Sequence, residues 1–195
     1  LNNLLLRIGK ALVIVEGPDG SGKTTLIRQL STALALPVAP RVVAQDTTAM
    51  VDIDQWVEEN LSGGFQFKLL DRHRLFSEPI YSRALNRSSS EKFKDPAWFG
   101  KRYAQFHNLK PIVILCLPSF DTVKSNLVDD PDNQVIFPHI ESIYSAYQLL
   151  GFNLHDQGWR YVQYDYTKPG HFYHILGMVS YLLGIEASER SITVV

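Results

Sequence analysis

Residues 17–24, Gly17-Pro18-Asp19-Gly20-Ser21-Gly22-Lys23-Thr24, match G-x-x-x-x-G-K-[ST] at every fixed position. They follow Ala11 to Glu16 (ALVIVE), the pattern of a strand buried on both faces, and open a helix expected from about Lys23 to Leu36, stopped before Pro37. Strand, glycine-rich turn and helix in this order are the context that gives the motif meaning. Glycines let successive N–H groups curl inward onto phosphate oxygens, and the helix N-terminus adds the positive end of its dipole. In such a turn Lys23 reaches the β- and γ-phosphates of a nucleoside triphosphate, and the Thr24 hydroxyl ligates Mg²⁺. Gly17, Asp19, Gly20, Ser21, Gly22, Lys23, Thr24 and Thr25 are therefore the expected phosphate-binding residues.

The rest of the chain alternates in the same way. Strands are expected at 38–44, 67–70, 111–117 and 161–164. Helices are expected at 51–61, 77–87, 95–107, 119–127, 139–150 and 170–183. Asp95-Pro96 reads as an N-cap followed by a first-turn proline. Residues 128–138 (VDDPDNQVIFP) read as an irregular acidic loop, and 186–195 as a tail. Five strands separated by helices predict an α/β fold, a three-layer sandwich around a five-stranded parallel sheet. Ligands of such sheets lie at the carboxyl ends of the strands. The phosphate turn, Asp71 and the Pro118 turn all fall there.

The motif alone does not separate switch, motor and kinase. The chain has 195 residues, too few for a motor's second lobe, and no guanine-reading N-K-x-D. Its third strand ends in Asp71-Arg72. A carboxylate there can activate an acceptor hydroxyl or hold the water shell of Mg²⁺, and an adjacent arginine can grip an acceptor phosphate. The alternative is a capping aspartate with a solvated arginine.

Two stretches resemble the thymidylate kinase-like branch of the P-loop nucleoside and nucleotide kinases. Residues 15–25 (VEGPDGSGKTT) are similar to that family's E-G-x-D-G-x-G-K-T-T. Leu70-Asp71-Arg72-His73, with Ser77 and Tyr81, is similar to its D-R-[YH]…S segment. The resemblance implies a nucleoside monophosphate kinase-like fold over residues 1–195 as one domain, with acceptor and lid segments at about 72–108 and 128–138. It implies ATP and Mg²⁺ as cofactors, with Thr24 and Asp71 as metal residues, the latter through water. Lys23, Asp71 and Arg72 would be catalytic, and Asp19, Arg72, Arg74, Ser77 and Tyr81 would contact the acceptor. Two departures stand out. Ser77 lies five residues after Arg72 rather than four, and neither the phosphate turn nor 128–138 carries an arginine. Arg74, Arg83 and Arg87 are then the expected sources of a further cation. The compact form looks like small bacteriophage kinases, which implies the cytoplasm of a bacterium or of a phage-infected host. Related kinases are often homodimers, and apolar positions at 77–87 and 95–107 would supply that interface.

Three readings follow: a kinase of deoxynucleoside monophosphates, a kinase of 5-hydroxymethyluracil within DNA, and a non-catalytic nucleotide switch. Residues 68–102 hold nine basic and four acidic side chains in a chain of net charge −1. Phe76, Tyr81, Phe93, Trp98, Phe99 and Tyr103 are interleaved with them. Such a segment suits a DNA-facing surface, an acceptor lid, or a solvated face over core aromatics. A pI near 6.7 excludes a globally basic nucleic-acid binder. One cysteine, Cys116, excludes an internal disulfide and fits a reducing compartment. The longest apolar run, Ile175 to Ile185, falls short of the roughly 20 residues of a membrane span. The leucines at 4–6 are too short for a signal peptide. A soluble protein is expected. His171 and His174 have helical spacing, but no further ligand pattern accompanies them. Trp56 and Phe65 are expected to pack in the core rather than stack on a base.

Overall fold

A computed structural model describes residues 12–39, 68–89, 91–128 and 134–184. The strands are β1 (Leu12–Glu16), β2 (Lys68–Asp71), β3 (Ile112–Cys116) and β4 (Arg160–Tyr164). The helices are α1 (Lys23–Leu34), α2 (Arg74–Ala84), α3 (Glu91–Lys94), α4 (Pro96–Asn108), α5 (Phe120–Val128), α6 (Ile140–Asp156) and α7 (His171–Leu183). All strand pairs are parallel, in the order β2-β1-β3-β4. The strand expected at 38–44 enters the described residues only as a parallel bridge between Val38 and Leu69. The helix expected at 51–61, Trp56, Phe65, most of the 128–138 loop's acidic stretch and the 186–195 tail lie outside them. No helix among the described residues is long and apolar enough to cross a membrane.

Every residue of β1 and β3 is buried, which explains their unbroken apolar runs. The period-two alternation splits them between two faces. Val13, Val15, Ile112, Ile114 and Cys116 pack with Leu26, Leu30, Ile175 and Val179 from α1 and α7. Ile14, Leu70 and Val113 pack on the opposite face with Phe76, Phe106, Leu154 and Trp159, and Leu115 packs with Val123, Ile143 and Tyr147. The outcome is helices on both sides of one sheet, with the chain reversals beyond Glu16, Asp71, Cys116 and Tyr164 gathered at one edge.

Two helices differ from expectation. The helix expected to begin at Ser77 begins at Arg74, because His73 caps it: its Nδ1 accepts from the Leu75 amide at 3.3 Å. The helix expected to stop at Leu150 runs on to Asp156. Gly151 does not end it. A Cβ there would sit 2.9 Å from the Tyr161 hydroxyl and 3.1 Å from Leu115, so the glycine lets α6 lie close on β3 and β4. Asp95 caps α4 as expected, its Oδ1 accepting from Ala97 N at 2.9 Å.

Candidate active site

The phosphate turn leaves β1 at Glu16 and enters α1 at Lys23. Gly17 has φ +143°, and a Cβ there would stand 2.4 Å from the Cys116 carbonyl, so both conformation and space demand glycine. Gly22 is the left-handed N-cap of α1, with φ +83° and the Tyr166 ring against its α-carbon. Thr24 and Thr25 are exposed in the first turn of α1. Lys23 is buried, and its Nζ donates to the Pro18 carbonyl at 2.6 Å. Burial, joined by the Arg72 charge, lowers its pKa from 10.5 to about 8 against the pull of Asp19, Cys116 and Asp71.

Arg72 joins this turn directly. It follows β2 in the left-handed conformation, φ +66°, which costs a non-glycine residue roughly 1–2 kcal/mol. Two amide bonds hold it there: Arg72 N donates to the Val15 carbonyl at 3.0 Å and His73 N to Glu16 Oε1 at 2.5 Å. The guanidinium then reaches the Gly17 carbonyl through Nε (3.3 Å) and Nη2 (3.2 Å). Nη2 also donates to Asp19 Oδ1 at 2.7 Å and to the Tyr81 hydroxyl at 2.6 Å. Tyr81 OH donates to Asp19 Oδ2 at 2.7 Å, closing a ring of three side chains. Burial opposes ionisation of Asp19, but the charges of Arg72 and Lys23 and the two hydrogen bonds outweigh it and hold its pKa below the ordinary value.

Of the expected acceptor residues, Asp19, Arg72 and Tyr81 thus come together. Ser77 is spent locally, its Oγ donating to the His73 carbonyl at 3.3 Å. Arg74 opens α2 and is half-buried. Asp71 ends β2 opposite Val15 and lies close enough to Lys23 for their charges to interact. Arg87 pairs with Glu78 at 3.0 Å, and Arg83 is exposed.

Five of the six aromatic rings singled out in the basic segment turn inward. Phe76 and Tyr81 are buried, and Phe93, Phe99 and Tyr103 pack against the core. Phe76, Tyr103 and Phe106 surround Trp159 at centroid distances of 5.2–5.9 Å. Rings placed this way lend no support to DNA binding by base stacking; Trp98 is half-buried outside the core clusters. Of the apolar positions at 77–87 and 95–107 expected to build a dimer interface, Phe106 is buried and Ile80, Leu85 and Phe99 are partly buried against the core, so they lend that interface no support.

Several residues outside the expected site set also take part. Glu16, fully buried, accepts from His73 N and from Tyr147 OH at 3.2 Å. Burial raises its pKa from 4.5 to about 7, although the His73 bond, Arg72, Tyr147 and Lys23 all pull it down. Tyr147 is fully buried in the core, yet its hydroxyl serves this carboxylate. Beside Gly22 opens a cleft of about 560 Å³ lined by Thr25, Gln29, Asn126, Tyr166, Pro169 and Phe172, among others. Its far wall follows β4, a strand end that carries no motif. His171 Nδ1 lies 3.1 Å from the Asp165 amide behind that wall.

No protein-family model matches the chain, and no curated protein matches it by sequence. Solved structures do match. The YorR protein of Bacillus subtilis, in complex with phosphorylated GDP, is 18% identical with a TM-score of 0.63, over 89% of this chain and 96% of its own. Deoxyadenosine kinase from M. mycoides with bound dATP is 14% identical, TM-score 0.61, over 87% and 99%. Polyphosphate kinase 2 from Arthrobacter aurescens TC1 is 13% identical, TM-score 0.59, over 99% and 75%. The chain has the P-loop kinase fold.

Proposed function

We propose that this protein is an ATP-dependent phosphotransferase whose acceptor is a deoxynucleoside monophosphate. The observation that carries the reading is the Asp19–Arg72–Tyr81 ring, which sets a guanidinium directly on the phosphate turn. Nε and Nη2 are spent on the protein; among the described residues no hydrogen bond involves Nη1, the edge left to meet an acceptor phosphate. ATP lies along 17–24 with Lys23 on its phosphates. Ser21 is fully buried there, and among the described residues its hydroxyl makes no hydrogen bond, as suits a donor for a ligand oxygen. The cleft beside Gly22 receives the nucleoside. Thr24 and Asp71 supply the hard oxygen donors that Mg²⁺ requires, exposed and half-buried respectively beside Lys23, so the residues present fit the ion. When bound, it neutralises charge on the transferring phosphoryl group. Asp71 orients the acceptor and Arg72 positions it; the chemistry is positioning and charge compensation. The likeness to a deoxyadenosine kinase supports an acceptor of the deoxynucleoside type.

The test is transfer of labelled γ-phosphate from ATP with Mg²⁺. The acceptors are deoxynucleoside monophosphates, free nucleosides, and duplex DNA with thymine or 5-hydroxymethyluracil. Label on a monophosphate is the expected result. Label on the nucleosides or the DNA alone would replace the acceptor, and nucleotide binding without transfer to any of them would leave a switch.

A further inference from the structure

Asn126, in the last turn of α5, touches two parts of the site at once. Its Nδ2 donates to the Gly20 carbonyl at 2.7 Å and to the Tyr166 hydroxyl at 2.7 Å. A carbonyl only accepts, so the Gly20 contact fixes which end of the amide faces the turn. The packing around these bonds is close. A Cβ on Gly20 would lie 2.8 Å from the Val123 carbonyl and 3.1 Å from Leu127, both on α5, and a Cβ on Gly22 would lie 2.8 Å from the Tyr166 ring. One wall of the phosphate turn is thus α5, the other is Tyr166, and Asn126 ties them together.

The backbone gives that tie a chemical meaning. The Gly20–Ser21 peptide is trans, so its C=O and N–H point opposite ways. Holding the Gly20 carbonyl out toward α5 turns the Ser21 N–H away from it, to the concave side where phosphate oxygens bind. Tyr166 meanwhile lines the neighbouring cleft. Resting on the nucleotide-kinase reading, we propose that Asn126 is a positioning residue for the ATP site. One arm orients the Ser21 amide for the triphosphate and the other holds the Tyr166 wall for the nucleoside. The two halves of the nucleotide are then read by one pre-assembled unit. Asn126 itself need not touch the nucleotide.

Two ligands separate the arms: ATP, and inorganic tripolyphosphate, which has no nucleoside. Binding of each is measured by calorimetry with the full chain. Asn126→Ala is expected to weaken tripolyphosphate about fivefold and ATP by more, since each arm is worth about one neutral hydrogen bond. Tyr166→Phe breaks only the second arm, so ATP weakens and tripolyphosphate does not. Asn126→Leu, with the same branching and number of heavy atoms but no donor, repeats the test should the alanine variant fold poorly. Wild-type affinity for tripolyphosphate in the Asn126 variants would overturn the proposal. So would Tyr166→Phe weakening tripolyphosphate as much as they do. A wild-type protein that binds neither ligand would overturn the kinase reading and this inference with it. ATP binding that the Asn126 variants leave intact overturns this inference alone.

Discussion

Glu16 and His73 are fully buried neighbours joined by the His73 amide, and their side chains respond to pH in opposite senses. Glu16 rises from 4.5 to about 7 on folding. Between those values the folded chain keeps a proton that the unfolded chain has lost, so stability falls as pH rises. Burial lowers His73 from 6.5 to about 3. Between those values the unfolded chain gains a proton that the folded chain refuses, so stability rises with pH. The two oppose each other from pH 4.5 to 6.5. Glu16→Gln keeps an acceptor for His73 N and removes the first effect. The variant should gain stability across that window, by on the order of 1 kcal/mol per pH unit, while the wild type stays nearly flat. Denaturant melts at the two ends of the window measure it; parallel slopes in both proteins would refute the assignment. At this scale the sequence was a partial guide. The motif marks Gly17 to Thr24 because a phosphate-binding turn demands its glycines, lysine and threonine at fixed spacing, and Asp71 and Arg72 stand out by their place at the end of the third expected strand. Neither signal gives a role to Glu16, Tyr147 or Asn126, whose contacts reach across as many as the 131 positions separating Glu16 from Tyr147.

Among the elements, helix α6 shows how a local rule yields to packing. A glycine after an apolar helical face ordinarily reads as a stop, and here it is an approach point. Gly151→Ala would press a methyl onto Tyr161 and Leu115, and should destabilise the fold by roughly 1–3 kcal/mol. Gly177, exposed in α7, meets nothing within 4 Å of a built Cβ. Gly177→Ala should therefore stabilise by about 0.5–1 kcal/mol through helix propensity alone. Thermal or urea melts of both variants check the contrast, and a shift of the same sign in both would contradict it. The start of α2 departs from the expected Ser77 for a related reason. A histidine cap is weaker sequence punctuation than Ser77, which serves within the first turn instead. The strands β1 and β3 were legible because burial on both faces leaves an unbroken apolar run. β4 was legible only roughly, its outer positions Arg160 and Gln163 being exposed.

At the scale of the whole molecule, one parallel sheet brings the ends of four strands to a single edge. Three of those ends supply the phosphate turn, the Asp71–Arg72 pair and the far wall of the cleft beside Gly22. The alternation of strands and helices made that layout readable, since a parallel connection needs a crossover and a crossover needs a helix. The inward turn of Phe76, Tyr81, Phe99 and Tyr103 was not readable, because an aromatic residue has the same spacing whether it serves the core or a surface. The proposed phosphoryl transfer gives its acceptor-orienting role to Asp71, half-buried at the end of β2 beside Lys23. The most direct measurement is the acceptor-dependent turnover of Asp71→Asn against wild type, with ATP affinity measured alongside. Turnover should fall by about 10²-fold or more while ATP binding changes little, as for a group that acts on the acceptor in the transition state. Equal turnover in the two proteins would show that this carboxylate takes no part in the reaction.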